Sequence, residues 1–327
     1  MRKRTNTNQG VPLPLASVRH YSDSEQFEAA YLAADVQITP VGRQAFAARV
    51  VRLELDDLWI VQVNEAAPRI KWATQSAERV VFRFLSEPAA EFVINGVPLQ
   101  YNEVVQLGRA DSYYEHTTGP ISWGGMSLPV VVAAETSIAL NGFDVFQRRE
   151  PAREIPEPGA MARLRLMHSE VAALANVAPN LVREPEVVRS IEQSLAVALF
   201  NCLREPDVRQ SSWVQRSHST VMRRLRDLLE INSDSALYVP EICSAIGVSE
   251  RTLRVCCHEY LGMGPMHYLS LRRMHLARRA LSNAEPGTTT VTEIATRFGF
   301  WHFGRFAGSY RSIFGESPSA TLLSDPR

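Results

Sequence analysis

Arginines set among aromatics at helical spacing are the most prominent chemistry this sequence offers. In TEIATRFGFWHFGRFAGSYRSIFGESP, Thr292 to Pro318, the residues Trp301, His302 and Arg305 follow a glycine and run into an apolar stripe. A second set, Ser249, Glu250, Arg251, Arg254 and His258, lies upstream in a similar setting. Guanidinium groups on an exposed helix can pair bidentately with guanine O6 and N7, and glutamate can accept from cytosine N4. Ser249, His258, Ser309 and Arg311 suit phosphate oxygens, contacts that position a protein without specifying sequence.

Other chemistry is thinly represented. Cys202, Cys243, Cys256 and Cys257 form no CxxC pair, which argues against a zinc site or a disulfide framework. Between residues 45 and 147 the only histidine is His116, in DSYYEHTTG. A metal centre there would need two or three histidines and a carboxylate. No metal, cofactor or catalytic residue is therefore expected, and the chain does not read as an enzyme. Trp59, Trp72, Phe82, Phe84, Tyr113, Tyr114 and Trp123 could line a small-molecule pocket, or could simply fill a core.

These residues sit in two kinds of texture. The chain has 327 residues, 45% hydrophobic, with zero net charge, so it is long enough for two or three domains and its overall charge identifies no partner. Of its 35 basic residues only Lys3 and Lys71 are lysine. The basic N-terminus MRKRTNTNQG is followed by no apolar segment, and no apolar run reaches the ~18 residues that cross a bilayer. A cytoplasmic protein without a membrane segment is expected. Residues up to about 40 read as polar and then weakly helical around SEQFEAAYLAA. From 45 to 147 short β-type runs follow: LWIVQV (58–63), VVFRFL (80–85), EFVING (91–96), EVVQLG (103–108) and SLPVVVAA (127–134). Asn95-Gly96 between apolar residues predicts a hairpin turn. Strands at this spacing predict a sandwich or small barrel.

QRREPAREIPEPG (147–159) reads as a boundary. Beyond it Met161, Leu164, Met167, Val171 and Leu174 share one helical face, and Val188, Ile191, Leu195, Leu199 and Cys202 share another. The polar stretch REPDVRQSSW leads into the final helical block. That block contains a repeat. EICSAIGVSERTLRVCCHEYLGMGP (241–265) aligns with EIATRFGFWHFGRFAGSYRSIFGESP (293–318), Gly247 with Gly299, Gly262 with Gly315 and Pro265 with Pro318. Leu253, Cys257, Tyr260 and Leu261 repeat as Phe306, Tyr310, Ile313 and Phe314, both in the i, i+4, i+7, i+8 pattern of an amphipathic helix. The shorter helices before the glycines carry Ile242, Ala245 and Ile246 in the first unit and Ile294, Ala295 and Phe298 in the second as their apolar residues. Each unit reads as helix, glycine turn, helix. MHYLSLRRMHLARRALSN (266–283) predicts a long helix between them.

This block, from about 217 to 327, resembles the DNA-binding domain of AraC/XylS-type transcription regulators. The resemblance rests on Ile294-Ala295, Gly299-Phe300, Phe306, Tyr310, Gly315 and Pro318. The sequence departs from the family at Trp301, Cys257, Val255 and Gly308, the last two standing where arginine is common. The resemblance implies an α+β protein: a β-rich, cupin-like effector-binding or dimerising domain over 1–150, a linker and helical dimerisation region over 151–216, and two helix-turn-helix units joined by a long helix over 217–327. It implies a sequence-specific transcription regulator, read as an activator, whose partners are double-stranded DNA, RNA polymerase, a second copy and a small-molecule effector. The alternative from another class is a cupin-like ligand-binding or enzymatic protein whose helical bundle does not serve DNA.

Overall fold

The computed structural model describes residues 16–31, 34–42, 44–89, 91–107, 112–144, 152–204, 213–232, 235–285 and 287–324. Its strands are β1 (Ala16–Tyr21), β2 (Ala34–Pro40), β3 (Ala48–Glu54), β4 (Trp59–Glu65), β5 (Arg69–Gln75), β6 (Arg79–Leu85), β7 (Phe92–Ile94), β8 (Val97–Pro98), β9 (Val104–Leu107), β10 (Ser112–Thr117), β11 (Ile121–Pro129) and β12 (Ala152–Glu154). The helices are α1 (Ser24–Glu28), α2 (Val130–Asn141), α3 (Pro158–Val177), α4 (Pro185–Phe200), α5 (Trp213–Ile231), α6 (Val239–Ile246), α7 (Glu250–Leu261), α8 (Pro265–Ser282), α9 (Val291–Arg297), α10 (Phe303–Phe314) and α11 (Pro318–Leu323). The fold is α+β, with a β-rich N-terminal region and a helical C-terminal region.

Two antiparallel sheets lie face to face. One has the order β1-β3-β4-β11-β6-β9-β12, the other β2-β5-β10-β7-β8. Side-chain alternation along the strands assigns each face. In β6, Val80, Phe82 and Phe84 pack against α3 and α4, while Val81 and Leu85 face the interior between the sheets. In β5 and β10, Ala73 and Tyr113 point into that interior, and Ile70, Trp72 and Tyr114 point outward onto α5, α7 and α8. The order of layers is thus helices, seven-stranded sheet, five-stranded sheet, helices. Asn95 and Gly96 take the positive φ values of 50° and 77° that the tight β7–β8 turn requires.

Several expectations need correction. SLPVVVAA is not one strand: β11 ends at Pro129, which caps α2, and an apolar run this short does not distinguish strand from helix by periodicity. The N-terminal stretch holds two strands around a single helical turn, since α1 is held to five residues by Asp23, whose carboxylate caps it. The expected boundary lies partly outside the described residues, but Ala152–Glu154 pairs with β9 and so extends the sheet past position 150. The apolar faces of α3 and α4 pack within the chain, with Met161, Leu164, Leu195 and Leu199 buried against the seven-stranded sheet, and Leu166 and Val177 of α3 stay exposed on its other side. Ala245, expected on an apolar face, is exposed.

His168 of α3 is buried against this sheet, its ring edge-on to Phe84 and its Nε2 3.4 Å from the Gly125 carbonyl. Burial pushes its pKa down from the usual 6.5 to about 4. The unfolded chain therefore binds the proton first. The stability that a neutral His168 supports is complete above pH 6.5 and falls as pH drops towards 4, by about 3 kcal/mol. Urea melts at pH 7.5 and 4.5 should show this loss, and His168→Gln, which cannot take up the proton, should remove that share of it.

Candidate nucleic-acid interface and inner cavity

In the helical region, backbone geometry fixes two short helix pairs. α6 ends at Gly247, φ 70°, and α9 is followed by Gly299, φ 77°. A left-handed residue here turns the chain, and only glycine takes it without strain. At Gly299 a Cβ would also stand 2.8 Å from the Tyr238 hydroxyl, so the second turn packs against the start of α6. Thr290 and Glu293 form a capping box on α9, and Ser249 caps α7 by accepting from the Thr252 amide at 3.1 Å.

α7 then divides into two faces. Leu253, Cys256, Cys257, Tyr260 and Leu261 are buried. Arg251, Arg254, Val255 and His258 are exposed, at the i, i+3, i+4, i+7 spacing of one outward stripe. The Ser249 hydroxyl lies at the N-terminal end of this stripe but is engaged in capping, and Glu250 is exposed beside it. The opposite side of α7 rests on β10, where the Tyr260 carbonyl meets His116 Nδ1 at 3.0 Å. α10 divides in the same way. Phe306 and Tyr310 are buried, Ile313 and Phe314 partly so, and the Tyr310 hydroxyl bonds Thr321 Oγ1 at 2.8 Å. His302, Arg305, Ser309 and Arg311 are exposed. Trp301 is 75% exposed, with its ring against His302, and Phe303 beside it is 43% exposed. Phe303 was missed in the sequence because it follows the Gly-Phe turn and reads as one more core aromatic.

Between the sheets lies a polar centre that the sequence reading missed. Glu65, Arg69, Lys71, Arg83 and Glu115 are all buried. Arg69 binds Glu65 through Nε at 2.8 Å and Nη2 at 3.0 Å, and Trp123 Nε1 donates to the same carboxylate at 2.8 Å. Glu115 faces three cations: Arg69 at 3.0 Å, Lys71 at 2.6 Å, and Arg83 in direct contact. Against the cost of burial, these cations hold the Glu115 carboxyl down at about 2. The alternation in RIKWATQ, with Arg69, Lys71, Ala73 and Gln75 at every second position, was the available signal.

A cavity of about 100 Å³ adjoins this centre. Trp59 and Trp123 line it. The other aromatics proposed for a pocket lie elsewhere. Phe82 and Phe84 sit on the opposite face of the sheet, against Phe200 and His168. Trp72 and Tyr114 face the helical region, and the Tyr113 hydroxyl accepts from Gln75 in the interior. Period-two alternation forces this division, because neighbours such as Tyr113 and Tyr114 cannot share a face. A wider surface depression, about 650 Å³, is lined by His20, Asn64, Glu87 and Ser122 among others. Among the described residues no three His, Cys, Asp or Glu side chains gather as a metal site, and no helix is long and apolar enough to cross a membrane.

Residues 242–323 match the family model described as a helix-turn-helix domain. The chain is 43% identical over 106 residues to the probable thc operon regulatory protein of Rhodococcus erythropolis, an alignment covering 32% of each chain. It is 35% identical over 99 residues to XylDLEGF operon transcriptional activator 2 of Pseudomonas putida, covering 30% of this chain and 63% of that one. Residues 242–323 form a helix-turn-helix domain, similar to that of these operon regulators. The chain spans less than two thirds of the length of either relative. Among solved structures it is similar to the AraC-like transcriptional activator CuxR, at 16% identity and a TM-score of 0.38, over 81% of this chain and 96% of that one.

The AraC/XylS signature residues are structural in this domain. Ile294, Ala295, Phe306, Tyr310 and Pro318 are buried, and Gly299 and Gly315 have positive φ. Cys257, which departs from the pattern, fills its place in the core. Val255 and Gly308, where arginine was anticipated, are both exposed, so the outer faces of α7 and α10 carry two fewer cations than the resemblance suggested.

Proposed function

We propose that the protein is a sequence-specific DNA-binding transcription regulator, acting as an activator through RNA polymerase. In this reading α6–α7 and α9–α10 are two helix-turn-helix units, and α7 and α10 enter the major groove. The 18 residues of α8 form a rod of about 27 Å, close to the ~34 Å that separates successive groove faces. Arg251, Arg254 and Arg305 read guanine, Glu250 reads cytosine, and Trp301 and His302 meet base edges at the mouth of α10. Ser249, His258, Ser309 and Arg311 hold phosphates. The DNA-binding domain spans 217–327. Residues 1–150 form a cupin-like domain that takes a small-molecule effector, and a second copy of the chain associates through 151–216.

The observation that carries this reading is the duplicated division of faces. In α7 and again in α10 the aromatic and aliphatic stripe is consumed by the core, and the arginines stand on the opposite, open side. A bundle helix without a partner needs no such repeated cationic face. The test is fluorescence anisotropy of the full chain on DNA from upstream of its own coding sequence. Competition by scrambled DNA of equal length should be at least a hundredfold weaker than competition by the native duplex. Equal competition would contradict the reading.

A further inference from the structure

We infer that the cavity between the two sheets is a binding site for a small organic anion of the monocarboxylate type, with its charged end on Arg83, Tyr31 and Arg52 and its apolar body against Val61 and Trp123. The inference rests on the reading of the β-rich region as the effector-binding half, and it names the ligand chemistry of that half.

Charge is the first ground. The buried centre holds three cationic side chains, Arg69, Lys71 and Arg83, against two carboxylates, Glu65 and Glu115. Glu65 is fully engaged by Arg69 and Trp123. Glu115 is shared among all three cations. Arg83 still has an Nε that finds no acceptor among the described residues, although the side chain is only 3% exposed. The buried Tyr31 hydroxyl likewise finds none. Buried polar groups are nearly always hydrogen-bonded, and donors left without acceptors mark a place for a ligand that brings them.

The lining is the second ground. Arg83 and Tyr31 both border the cavity, with the Arg52 guanidinium and the Gln75 side chain. Among the described residues no carboxylate lines it, and most of the remaining surface is aliphatic or aromatic. Donors at one end and apolar walls elsewhere complement a carboxylate on a short hydrocarbon body. An apolar cavity of 150 Å³ holds the six carbons of benzene, so about 100 Å³ suits roughly four or five non-hydrogen atoms, the size of acetate or propionate.

Lys71 supplies a third ground. It is the one lysine among the described residues, and its Nζ sits 5.4–5.6 Å from the ring centroids of Tyr31, Tyr113 and Trp123. Burial and the neighbouring Arg83 push its ammonium well below the ordinary lysine range. An anion in the cavity favours the charged form of this side chain. The same strands carry the contacts to the helical region. Trp72 on β5 lies under Arg226 of α5 at 3.5 Å, and Tyr114 on β10 donates to the Met222 carbonyl at 3.3 Å. A ligand that draws Arg83 from Glu115 acts on the strands whose outer faces support α5 and α7.

The experiment is a titration of the full chain, without DNA, with acetate, propionate and butyrate and with the matching carboxamides. Thermal midpoint and tryptophan fluorescence are read. A saturable response to at least one carboxylate, absent with its carboxamide, is expected. Tyr31→Phe removes a hydroxyl that finds no acceptor among the described residues, so it should fold as well as the parent yet bind at least fivefold more weakly. Ala34→Phe, placed at the lining, should abolish the response. No saturable response, equal binding of carboxamide, or unchanged binding in both variants would overturn the inference. Failure of DNA binding with carboxylate binding intact would count against the regulator reading alone.

Discussion

Replacing Glu115 by alanine is expected to unfold the β-rich half of the protein or to bring it close to unfolding. The side chain is fully buried and is the counter-ion shared by Arg69, Lys71 and Arg83. Removing it leaves these cations in a medium that cannot solvate them. Breaking a buried ion pair in this way costs about 3–5 kcal/mol, a large share of a total stability of roughly 5–15 kcal/mol. By contrast Glu186, exposed and paired with Arg189 at 3.0 Å, should cost less than about 1 kcal/mol when replaced. Urea denaturation followed by tryptophan emission separates the two variants, because Trp123 bonds the same cluster. The pH dependence carries the matching sign. The Glu115 carboxyl is held at about 2 when folded, so its contribution is present above the ordinary carboxylate range and is lost only as pH falls towards 2. Acid should weaken the His168 site first and the ionic centre last. A Glu115→Ala protein with an unchanged urea midpoint would mean that the cluster does not hold its three cations in the charged form.

Arg254→Ala combined with Arg305→Ala is expected to abolish specific DNA binding while leaving the fold intact. Each side chain is exposed on the outer face of its helix. Each can form one bidentate guanine contact, worth about 1–3 kcal/mol of discrimination. The two lie on different units and share no partner, so their effects should add. Specific affinity should fall by roughly 30-fold to 10⁴-fold. Affinity for scrambled DNA should fall far less, since the phosphate contacts of Ser249, His258, Ser309 and Arg311 remain. The far-ultraviolet circular dichroism spectrum should be unchanged. An equal fall on both DNAs would assign these arginines to the phosphate backbone and leave base reading to other side chains.

The helical region was the more legible half because its signals are local. Glycine turns, proline starts and the i, i+4, i+7, i+8 stripes each belong to one segment, and two copies of the pattern reinforce each other. Only Ala245 was misplaced, on a helix of eight residues where a single turn decides the face. The β-rich half was less legible because its meaning is non-local. That Glu65, Arg69, Arg83 and Glu115 converge depends on strand register: Glu115 lies opposite Lys71 across β10 and β5, while Arg83 arrives from the other sheet. Nothing in one strand announces the partner. The same reason separates Trp59 and Trp123, which line the cavity, from Trp72 and Tyr114, which face the helices. The α2 helix was taken for a strand because the apolar run on both sides of Pro129 has no distinguishing period.

The central claim is that the two arginine-bearing faces read DNA. The direct measurement is the affinity of the full chain for the duplex upstream of its own coding sequence at several salt concentrations. From 217 to 327 there are thirteen arginines against ten acidic residues, so non-specific attraction should be modest. Four to six phosphate contacts would give a slope of log affinity against log salt of roughly −4 to −5. The account predicts that slope together with a preference of at least a hundredfold over scrambled duplex. Salt-independent binding, or no preference between the two duplexes, would contradict it.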